Sequence, residues 1–371
     1  MILLYITIVL FVTYGILILY YRAGWLKTPV FIPKELESDI KISVIIPARN
    51  EEENIGMLLN SIQAQSYPAH LFEVIVVDDH STDKTLEVVK GFPFVKIIQL
   101  QLNNINSYKK KAIETGIAAA SGDLIVTTDA DCVVPVHWLK TMAAFKKETH
   151  ATFIAAPVVL DFKNSFLQIF QAMDFLVLQG ITAASVQKKI HNMCNGANLA
   201  YERKAFYDVS GFGGIDNIAS GDDMLLMKKI ATRFPEKIFY LLAGDAIVKT
   251  ASAKTWKEFF NQRIRWASKA TNYNDIKIFS VLVLVYFFNL ALLTILIAGF
   301  WFHFLWLGFI LLVLAKAIIE LLFISPVFKF YNNSGLLKWF LFFQPVHIIY
   351  TVIAGWLGRF GSFEWKDRRV K

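Results

Sequence analysis

The amino-acid sequence predicts an α/β domain with a mostly parallel sheet, joined to transmembrane helices. Short runs rich in Val and Ile alternate with helix-length stretches between residues 40 and 130. Uncharged stretches long enough to cross a bilayer lie near both ends of the chain. The hydrophobic fraction of 55% also exceeds the roughly 45–50% of soluble domains, and the excess falls in those end segments.

Four apolar runs are predicted to be strands buried on both faces of a sheet. They are ISVIIP (42–47), EVIVVDD (73–79), VKIIQL (95–100) and DLIVTTD (123–129). Helix-length stretches such as 51–65 and 83–91 lie between them. Because a strand, helix, strand repeat gives parallel strands with right-handed crossovers, we expect an open, mostly parallel sheet over residues 40–250.

The N-terminal segment 1–22 is predicted to be a transmembrane anchor. Residues 1–20 contain no charged side chain and are long enough to span a bilayer as a helix. The segment lacks the basic start and the small-residue cleavage site of a signal peptide, so we expect it to be uncleaved. Arg22 and Trp25 then mark its interfacial, cytosolic end.

The segment 277–358 is predicted to be a C-terminal transmembrane region. Residues 279–302 are uncharged, and residues 304–324 are interrupted only by Lys316 and Glu320. These two charges are one helical turn apart, so we expect them to pair with each other.

Two further apolar stretches are interrupted by polar residues. Residues 336–358 contain Pro345 and are followed by basic residues. Because cytosolic flanks are rich in Lys and Arg, we expect a third segment that is broken or re-entrant at Pro345, with a conventional fourth span as the alternative. Residues 165–187 carry Gln and Asp side chains and are predicted to form a helix of the soluble domain.

The net charge of +8 contains no block of five or six like charges, so we expect no nucleic-acid partner. The two cysteines make neither a disulfide framework nor a metal-ligand spacing. A reducing compartment is the natural interpretation of this cysteine count.

Polar clusters follow directly after three of the predicted strands, at residues 47–51, 78–83 and 129–131. In an open α/β sheet, ligands bind beyond the carboxyl ends of the strands. The clusters are rich in carboxylates, which repel each other when gathered together. We therefore expect a cation to lie among them.

Asp129 and Asp131 form an Asp-x-Asp pair on the loop after the last of these strands. Two carboxylates at this spacing can hold a hard divalent cation such as Mg²⁺ or Mn²⁺ and leave positions open for phosphate oxygens. The alternative is a helix cap or a turn, which Asp also favours. The neighbouring acidic loops favour the metal site.

Asp78 and Asp79 are candidates for binding a base or a ribose, as the acidic residue of dinucleotide-binding folds does. The alternative is that Asp79, Ser81 or Asp83 caps the following helix.

Lys109, Lys110 and Lys111 precede an apolar helix. One of them could contact a diphosphate, and a solvated basic run is the alternative for each.

Asp222 and Asp223 lie at the predicted start of another helix. Adjacent acids are favourable at a helix N-terminus, so capping by Ser220 or Asp222 is the structural alternative. The functional interpretation is a general base, since sugar transfer needs a carboxylate that removes a proton from the attacking hydroxyl.

Residues 251–275 are predicted to contain an interfacial amphipathic helix before the membrane region. Its Gln262, Arg265 and Trp266 could line the acceptor end of a site, where an indole face can stack on a sugar ring.

The motifs SVIIPARNEEENI, VVDDHSTD, the Asp-x-Asp at 129–131, the Gly-Asp-Asp at 221–223 and the Gln-x-x-Arg-Trp at 262–266 occur in one order. Together, over roughly residues 40–270, they resemble the family 2 glycosyltransferases, which have the GT-A fold. The resemblance is to the membrane-bound branch that contains ceramide glucosyltransferase, hyaluronan synthase, cellulose synthase and poly-N-acetylglucosamine synthase.

The resemblance implies a role for each matching residue. Asp223 would be the catalytic base, with Asp222 in place of the family's usual Glu, and His80 stands where the family usually has Gly. The implied binding residues are Pro47, Asn50 and Glu51 around the nucleotide, Asp79 near the base, Lys109 ahead of the helix, Asp129 and Asp131 at the diphosphate and its metal, and Gln262, Arg265 and Trp266 at the acceptor and pyrophosphate.

The implied reaction is a single inverting displacement that moves a sugar from a nucleotide-sugar donor to a lipid or glycan acceptor. UDP is the nucleotide that the resemblance implies, and GDP is the alternative. Three or four membrane segments are few for a chain that must translocate a polymer, so a lipid acceptor is favoured over a processive polysaccharide synthase. The alternatives from other classes are an inactive sugar-nucleotide-binding scaffold and a transporter.

The predicted location is the bacterial inner or plasma membrane, with the catalytic domain in the cytosol.

Overall fold

The computed structural model describes residues 1–33, 39–101, 107–163, 165–190, 193–218, 221–268, 275–360, 363–365 and 368–370. The chain divides into two compact units. The sheet unit comprises Thr28–Asp161 and Asn192–Ser252, and the helical unit comprises Met1–Lys27, Phe162–His191 and Ala253–Lys371.

The sheet unit contains a seven-stranded sheet and a three-stranded sheet. Its strands are β1 (Ile42–Ala48), β2 (Phe72–Asp78), β3 (Val95–Gln99), β4 (Leu124–Thr127), β5 (Cys132–Val133), β6 (Phe153–Ala155), β7 (Val158–Asp161), β8 (Leu199–Glu202), β9 (Ile238–Tyr240) and β10 (Val248–Ala251). The larger sheet has the order β3-β2-β1-β4-β8-β6-β9, and the smaller has the order β5-β10-β7.

The larger sheet is mostly parallel, because β3, β2, β1 and β4 all run in the same direction and β9 runs parallel to β6. Strand β8 alone runs antiparallel to its neighbours β4 and β6. The central Ile45, Ile75 and Ile125 are fully buried, as expected for strands covered on both faces. The predicted α/β fold with a mostly parallel sheet is therefore confirmed.

Helices occur in both units. In chain order they are α1 (Ile2–Lys27), α2 (Ile55–Gln63), α3 (Thr85–Lys90), α4 (Tyr108–Ala118), α5 (Trp138–Thr149), α6 (Phe166–Lys188), α7 (Arg203–Asp208), α8 (Met224–Arg233), α9 (Trp256–Ser268), α10 (Ile276–Ala298), α11 (Phe304–Phe330) and α12 (Phe340–Phe360). Helices α1, α6 and α9 to α12 belong to the helical unit, which ends in the short hairpin β11 (Phe363–Trp365) and β12 (Arg368–Val370).

Helix α4 packs closely on the sheet through Gly116. A Cβ atom at this position would lie 2.6 Å from Ile45 Cγ2 and 3.2 Å from Val77 Cγ2. Only a residue without a side chain lets the helix approach β1 and β2 at this distance. This contact holds α4 against the sheet, and the first turn of α4 bears the three lysines.

In the helical unit, α1 packs against α6, α10 and α11, and α12 packs against α9 and α10. Five helical segments of the described chain are long and apolar enough to cross a membrane: Ile2–Lys27, Phe166–Lys188, Ile276–Ala298, Phe304–Phe330 and Ser334–Leu357. Large apolar side chains such as Val9 (65% exposed) and Ile16 (64% exposed) point away from the unit. Such a surface suits contact with lipid rather than water.

The predicted pair within α11 is present and belongs to a larger polar cluster. Lys316 Nζ lies 2.7 Å from Glu320 Oε1 and donates to Gln344 Oε1 of α12 at 2.6 Å. Gln344 Nε2 donates to Glu320 Oε2 at 2.8 Å, and the Tyr14 hydroxyl of α1 donates to Glu320. The cluster thus joins three helices, and each charge has an opposite charge beside it.

Two elements of the helical unit differ from the expectation. Helix α6 groups with the apolar helices rather than with the sheet, because it packs against α1 and α11. Its polar Gln171 also bonds the backbone of Ala253 in both directions at 3.0 Å. Helix α12 continues through Pro345. Proline removes only the bond to the Leu341 carbonyl, near the helix start, so the helix tolerates it there.

Candidate active site

The carboxyl ends of three central strands meet at one edge of the larger sheet. Ala48 at the end of β1 is paired with Asp78 at the end of β2, and Ile45 of β1 is paired with Thr127 at the end of β4. The three acidic loops begin directly after these residues. Parallel pairing therefore brings the loops together, as the strand order requires.

The first two loops are joined by hydrogen bonds rather than left free. Asn50, at a φ of 50°, accepts from the Thr82 backbone N–H at 2.9 Å, and its own N–H donates to Ser81 Oγ at 3.0 Å. The Glu51 N–H donates to Thr85 Oγ1 at 2.8 Å. Asn50 and Glu51 thus hold the loops in a fixed arrangement, which is a structural use of two residues predicted to surround a nucleotide. Their nucleotide contacts remain a prediction.

Asp78 and Asp79 differ in how their carboxylates are used. Asp79 Oδ1 lies 3.0 Å from His80 Nδ1 and 4.0 Å from Arg49 Nη1. Asp78 is 2% exposed and accepts from the Ser81 N–H through Oδ2 at 3.3 Å, whereas its buried Oδ1 has no hydrogen-bond partner among the described residues. A buried acceptor without a donor is costly. Asp78 is therefore the better placed of the two to accept from a ligand N–H or O–H.

Lys109 supplies a cation among the acidic loops. Its Nζ lies 2.7 Å from Asp129 Oδ1 and 3.1 Å from Asp222 Oδ2. Burial disfavours the charged ammonium, but the carboxylates of Asp129 and Asp222 outweigh burial and raise the pKa of Lys109. The ammonium therefore stays charged and links two loops that would otherwise repel each other.

The two neighbouring lysines serve other purposes. Lys110 is buried and donates to the carbonyls of Ile215 and Ile218, both at 2.6 Å. Lys111 forms an ion pair with Glu114 on the helix surface at 2.7 Å. Within the described part of this basic run, Lys109 is the lysine whose ion pairs lie in the acidic cluster.

Asp223 caps a helix and is also the candidate general base. It is the N-cap of α8, and its Oδ1 accepts from the Met224 N–H at 2.7 Å. Its Oδ2 accepts from the Gly196 N–H at 3.3 Å. The cap therefore lies at Asp223 rather than at the expected Asp222, and the other candidate, Ser220, lies outside the described residues. Asp222 instead pairs with Lys109.

Gly196 was not predicted as a site residue. A Cβ atom on it would lie 3.2 Å from both Asp222 Oδ2 and Lys109 Nζ. The close approach of this backbone allows its N–H to reach Asp223. The Asn-Gly dipeptide at residues 195–196 marks a turn in the sequence and was the available signal.

The carboxylates of the Asp-x-Asp pair have different surroundings. The Asp129 side chain is 35% exposed beside Lys109. Asp131 Oδ2 accepts from Thr250 Oγ1 at 3.1 Å, because β5 and β10 pair with Cys132 opposite Thr250. Burial, together with Asp131 and Asp129, raises the pKa of the Cys132 thiol. The thiol is therefore neutral and unsuited to ligating a metal.

The protein supplies only some of the ligands that a divalent cation would need at this site. Within the described ranges, no group of three or more His, Cys, Asp or Glu side chains could hold a metal ion. Asp129 and Asp131 supply two carboxylates, the ligand type that Mg²⁺ and Mn²⁺ prefer, and Mg²⁺ sites commonly use one or two carboxylates plus substrate phosphates. The residues fit an ion that a diphosphate helps to bind.

The remaining predicted residues are distributed over both units. Pro47 lies within β1, opposite Val77 of β2. Gln262, Arg265 and Trp266 lie on α9 of the helical unit. Their predicted contact with an acceptor remains a prediction.

Comparison with known proteins agrees with this architecture. Residues 43–210 match the family model of glycosyl transferase family 2. The structure of the mannosyltransferase PcManGT from Pyrobaculum calidifontis, solved with GDP-Man and Mn²⁺, superposes with a TM-score of 0.57 at 19% identity over 94% of this chain and 99% of that one. At this identity the likeness concerns the fold, and the fold is GT-A.

Two curated relatives match this chain over different lengths. The probable glycosyltransferase YdaM of Bacillus subtilis is 28% identical over 236 residues, which are 61% of this chain and 54% of that protein. The chain thus spans about half the length of this relative. The undecaprenyl-phosphate 4-deoxy-4-formamido-L-arabinose transferase of Photorhabdus laumondii is 39% identical over 99 residues, which are 26% of this chain and 30% of that protein.

Proposed function

Because this chain carries a family 2 glycosyltransferase domain, we propose that it transfers a sugar from a nucleoside diphosphate sugar to a lipid acceptor at a membrane. One observation carries the proposal: Lys109 lies within 3.1 Å of both Asp129 and Asp222, which ties the Asp-x-Asp loop to the start of α8. A diphosphate-binding loop and a candidate base thereby share one cluster.

Asp223 is the proposed general base. The acceptor hydroxyl attacks the anomeric carbon, its proton passes to the Asp223 carboxylate, and the bond from that carbon to the diphosphate oxygen breaks. One displacement inverts the anomeric configuration. The backbone N–H groups of Met224 and Gly196 orient the carboxylate, and Lys109 stabilises the charge on the departing diphosphate.

Asp129 and Asp131 are the residues that would hold a divalent cation. When bound, Mg²⁺ or Mn²⁺ would neutralise the leaving nucleoside diphosphate, so the chain needs no separate general acid. The PcManGT neighbour was solved with Mn²⁺, which supports this proposal.

The donor side is assigned to the loops after β1 and β2. The vacant Asp78 Oδ1 suits an N–H of the base or an O–H of the ribose. UDP is the proposed nucleotide, and the GDP-Man bound to the PcManGT neighbour makes a guanine donor the alternative to test.

The acceptor side is assigned to a membrane lipid. The five apolar helical segments and the outward-facing apolar side chains of α1 support a location in the bilayer. The relative named for transfer involving undecaprenyl-phosphate supports a lipid acceptor. In this proposal the sheet unit faces the cytosol, and Gln262, Arg265 and Trp266 line the acceptor end.

The test is transfer from radiolabelled UDP-glucose, UDP-N-acetylglucosamine, UDP-galactose and GDP-mannose by the full chain in detergent. The reactions contain Mn²⁺ or Mg²⁺ and total lipid extract from the source membranes. We expect label in one discrete, organic-extractable product, with transfer abolished by EDTA.

The product that carries the label distinguishes single transfer from the alternative functions. Label in a high-molecular-mass, water-soluble product would replace the single-transfer proposal with a processive polysaccharide synthase. If no donor supports metal-dependent transfer or donor hydrolysis, the inactive scaffold is the correct interpretation.

A further inference from the structure

Arg263 of α9 is a buried cation that the proposed reaction does not use. It is 4% exposed, and its Nη2 lies 2.7 Å from Asp174 Oδ2 of α6. Asp174 Oδ1 accepts from the Tyr350 hydroxyl of α12 at 3.0 Å. The ion pair thus joins three helices within the helical unit, and it lies one residue after Gln262.

The same guanidinium also contacts an aromatic residue of the predicted acceptor motif. Arg263 Cζ lies 4.3 Å from the ring centroid of Trp266, one helical turn along α9, and 5.0 Å from that of Phe259. Phe175, next to Asp174 on α6, packs against Trp266 with ring centroids 6.1 Å apart. Adjacent residues of α6 therefore fix the cation and support the indole.

The pair is not arranged for stability alone. Arg263 Nε and Nη1 are buried and have no hydrogen-bond partner among the described residues. A buried pair with unfilled donors is a poor source of net stability, since desolvation offsets the attraction. Its geometry instead places the guanidinium carbon over the Trp266 ring, a contact that Arg makes more often than Lys.

We propose that Arg263 and Asp174 are positioning residues that hold the Trp266 indole in the orientation used for the acceptor. The inference rests on the proposed function, in which Trp266 lines the acceptor end. Asp174 fixes the guanidinium from one side, and the guanidinium fixes the indole by a cation–π contact. Neither residue touches the reacting atoms.

The first test needs no substrate. The full chain in detergent is footprinted with hydroxyl radicals, and oxidation of Trp266 is measured by mass spectrometry. We expect Arg263→Lys, which keeps the charge and loses the planar contact, to raise Trp266 oxidation about threefold. Lys257→Met, which removes an exposed cation from the same helix, is the matched control and should leave oxidation unchanged.

The second test measures transfer with the same lipid extract at varied concentration. Arg263→Lys should raise the half-saturating concentration of extract about tenfold and leave the donor KM unchanged. Asp174→Asn should shift the same quantity in the same direction. A pair that serves only to hold the fold would instead lower the melting temperature and affect both substrates equally.

The outcomes separate the two proposals. Unchanged Trp266 oxidation in Arg263→Lys overturns the positioning role, whatever the activity. Raised oxidation in a wild-type chain that transfers no sugar upholds the contact between Arg263 and Trp266 and overturns the proposed function. Equal changes in donor and acceptor saturation overturn the positioning role in favour of a structural one.

Discussion

The ammonium of Lys109 separates two carboxylates that would repel each other without it. It lies 2.7 Å from Asp129 and 3.1 Å from Asp222. The sequence predicts a cation among these loops, and the structure places one from the chain itself beside the predicted metal ligands. The negative charge of these carboxylates is therefore balanced by the fixed ammonium of Lys109 together with any bound metal ion.

We expect Lys109→Met to lower transfer by about 100-fold or more, because a cation at the developing diphosphate charge is lost. Lys111→Met removes a half-exposed lysine two residues away on the same helix and should retain nearly full activity. Steady-state transfer with the preferred donor measures both. Similar losses in the two variants would contradict the role of Lys109.

Glu73 gives the sheet unit a pH-dependent contribution to stability. It accepts from Ser43 Oγ at 2.6 Å, from the Ser121 N–H at 2.6 Å and from Ser121 Oγ at 2.7 Å. Burial raises the pKa of Glu73, but the hydrogen bonds from Ser43 and Ser121 outweigh it, so the pKa lies below the ordinary 4.5. The contribution is present above the unfolded pKa and is lost as pH falls through the folded pKa.

We therefore expect Glu73→Gln to lower stability by about 1 kcal/mol at neutral pH. The difference from wild type should shrink as the pH falls through the lowered pKa of Glu73, where the wild-type carboxylate becomes protonated. Melting temperatures from neutral to acidic pH measure this, with the exposed Glu87→Gln as control. A constant difference at every pH would show that Glu73 does not act through its charge.

At the scale of elements, the strands were predictable and the contacts of single loops were not. Runs such as ISVIIP and DLIVTTD are buried on both faces, and this burial dictates their composition. The pairing of β5 with β10, which brings Thr250 to Asp131, joins residues over 100 positions apart. No local pattern encodes such a contact.

Helix starts illustrate the same limit. The sequence indicates a cap near Asp222, because acids favour a helix N-terminus. The structure places the cap at Asp223, which also accepts from the Gly196 N–H, and Asp222 pairs with Lys109 instead. Helix α6 likewise has the composition of a buried helix. Its packing partners in the helical unit depend on the tertiary fold and cannot be predicted from local sequence.

The fit of α4 on β1 is a testable element-scale contact. Gly116→Ala places a Cβ atom 2.6 Å from Ile45 Cγ2, so the helix must shift. We expect a loss of about 1–3 kcal/mol in unfolding free energy. Gly244→Ala, where a Cβ atom meets no atom within 4 Å, is the control. Equal melting temperatures for the two variants would contradict the close packing.

At the scale of the whole molecule, the chain combines a GT-A sheet unit with a helical unit whose surface suits lipid. Among the described residues of the helical unit, the buried charges are paired, as in the cluster of Lys316, Glu320 and Gln344. Such pairing is expected of charges inside an apolar helix bundle. The proposed function uses this combination, with the sheet unit for the chemistry and the helical unit for holding a lipid substrate.

The proposed transfer reaction depends most on Asp223 as the general base, and Asp223→Asn tests this role directly. Asn caps a helix about as well as Asp and can keep the bond from the Met224 N–H, losing only the longer 3.3 Å contact with the Gly196 N–H. The melting temperature should therefore change little, and nucleotide binding should be preserved. Asn cannot accept the proton, so transfer should fall by at least about 100-fold. Transfer at close to the wild-type rate by a stable, nucleotide-binding variant would contradict the role of Asp223 as the general base.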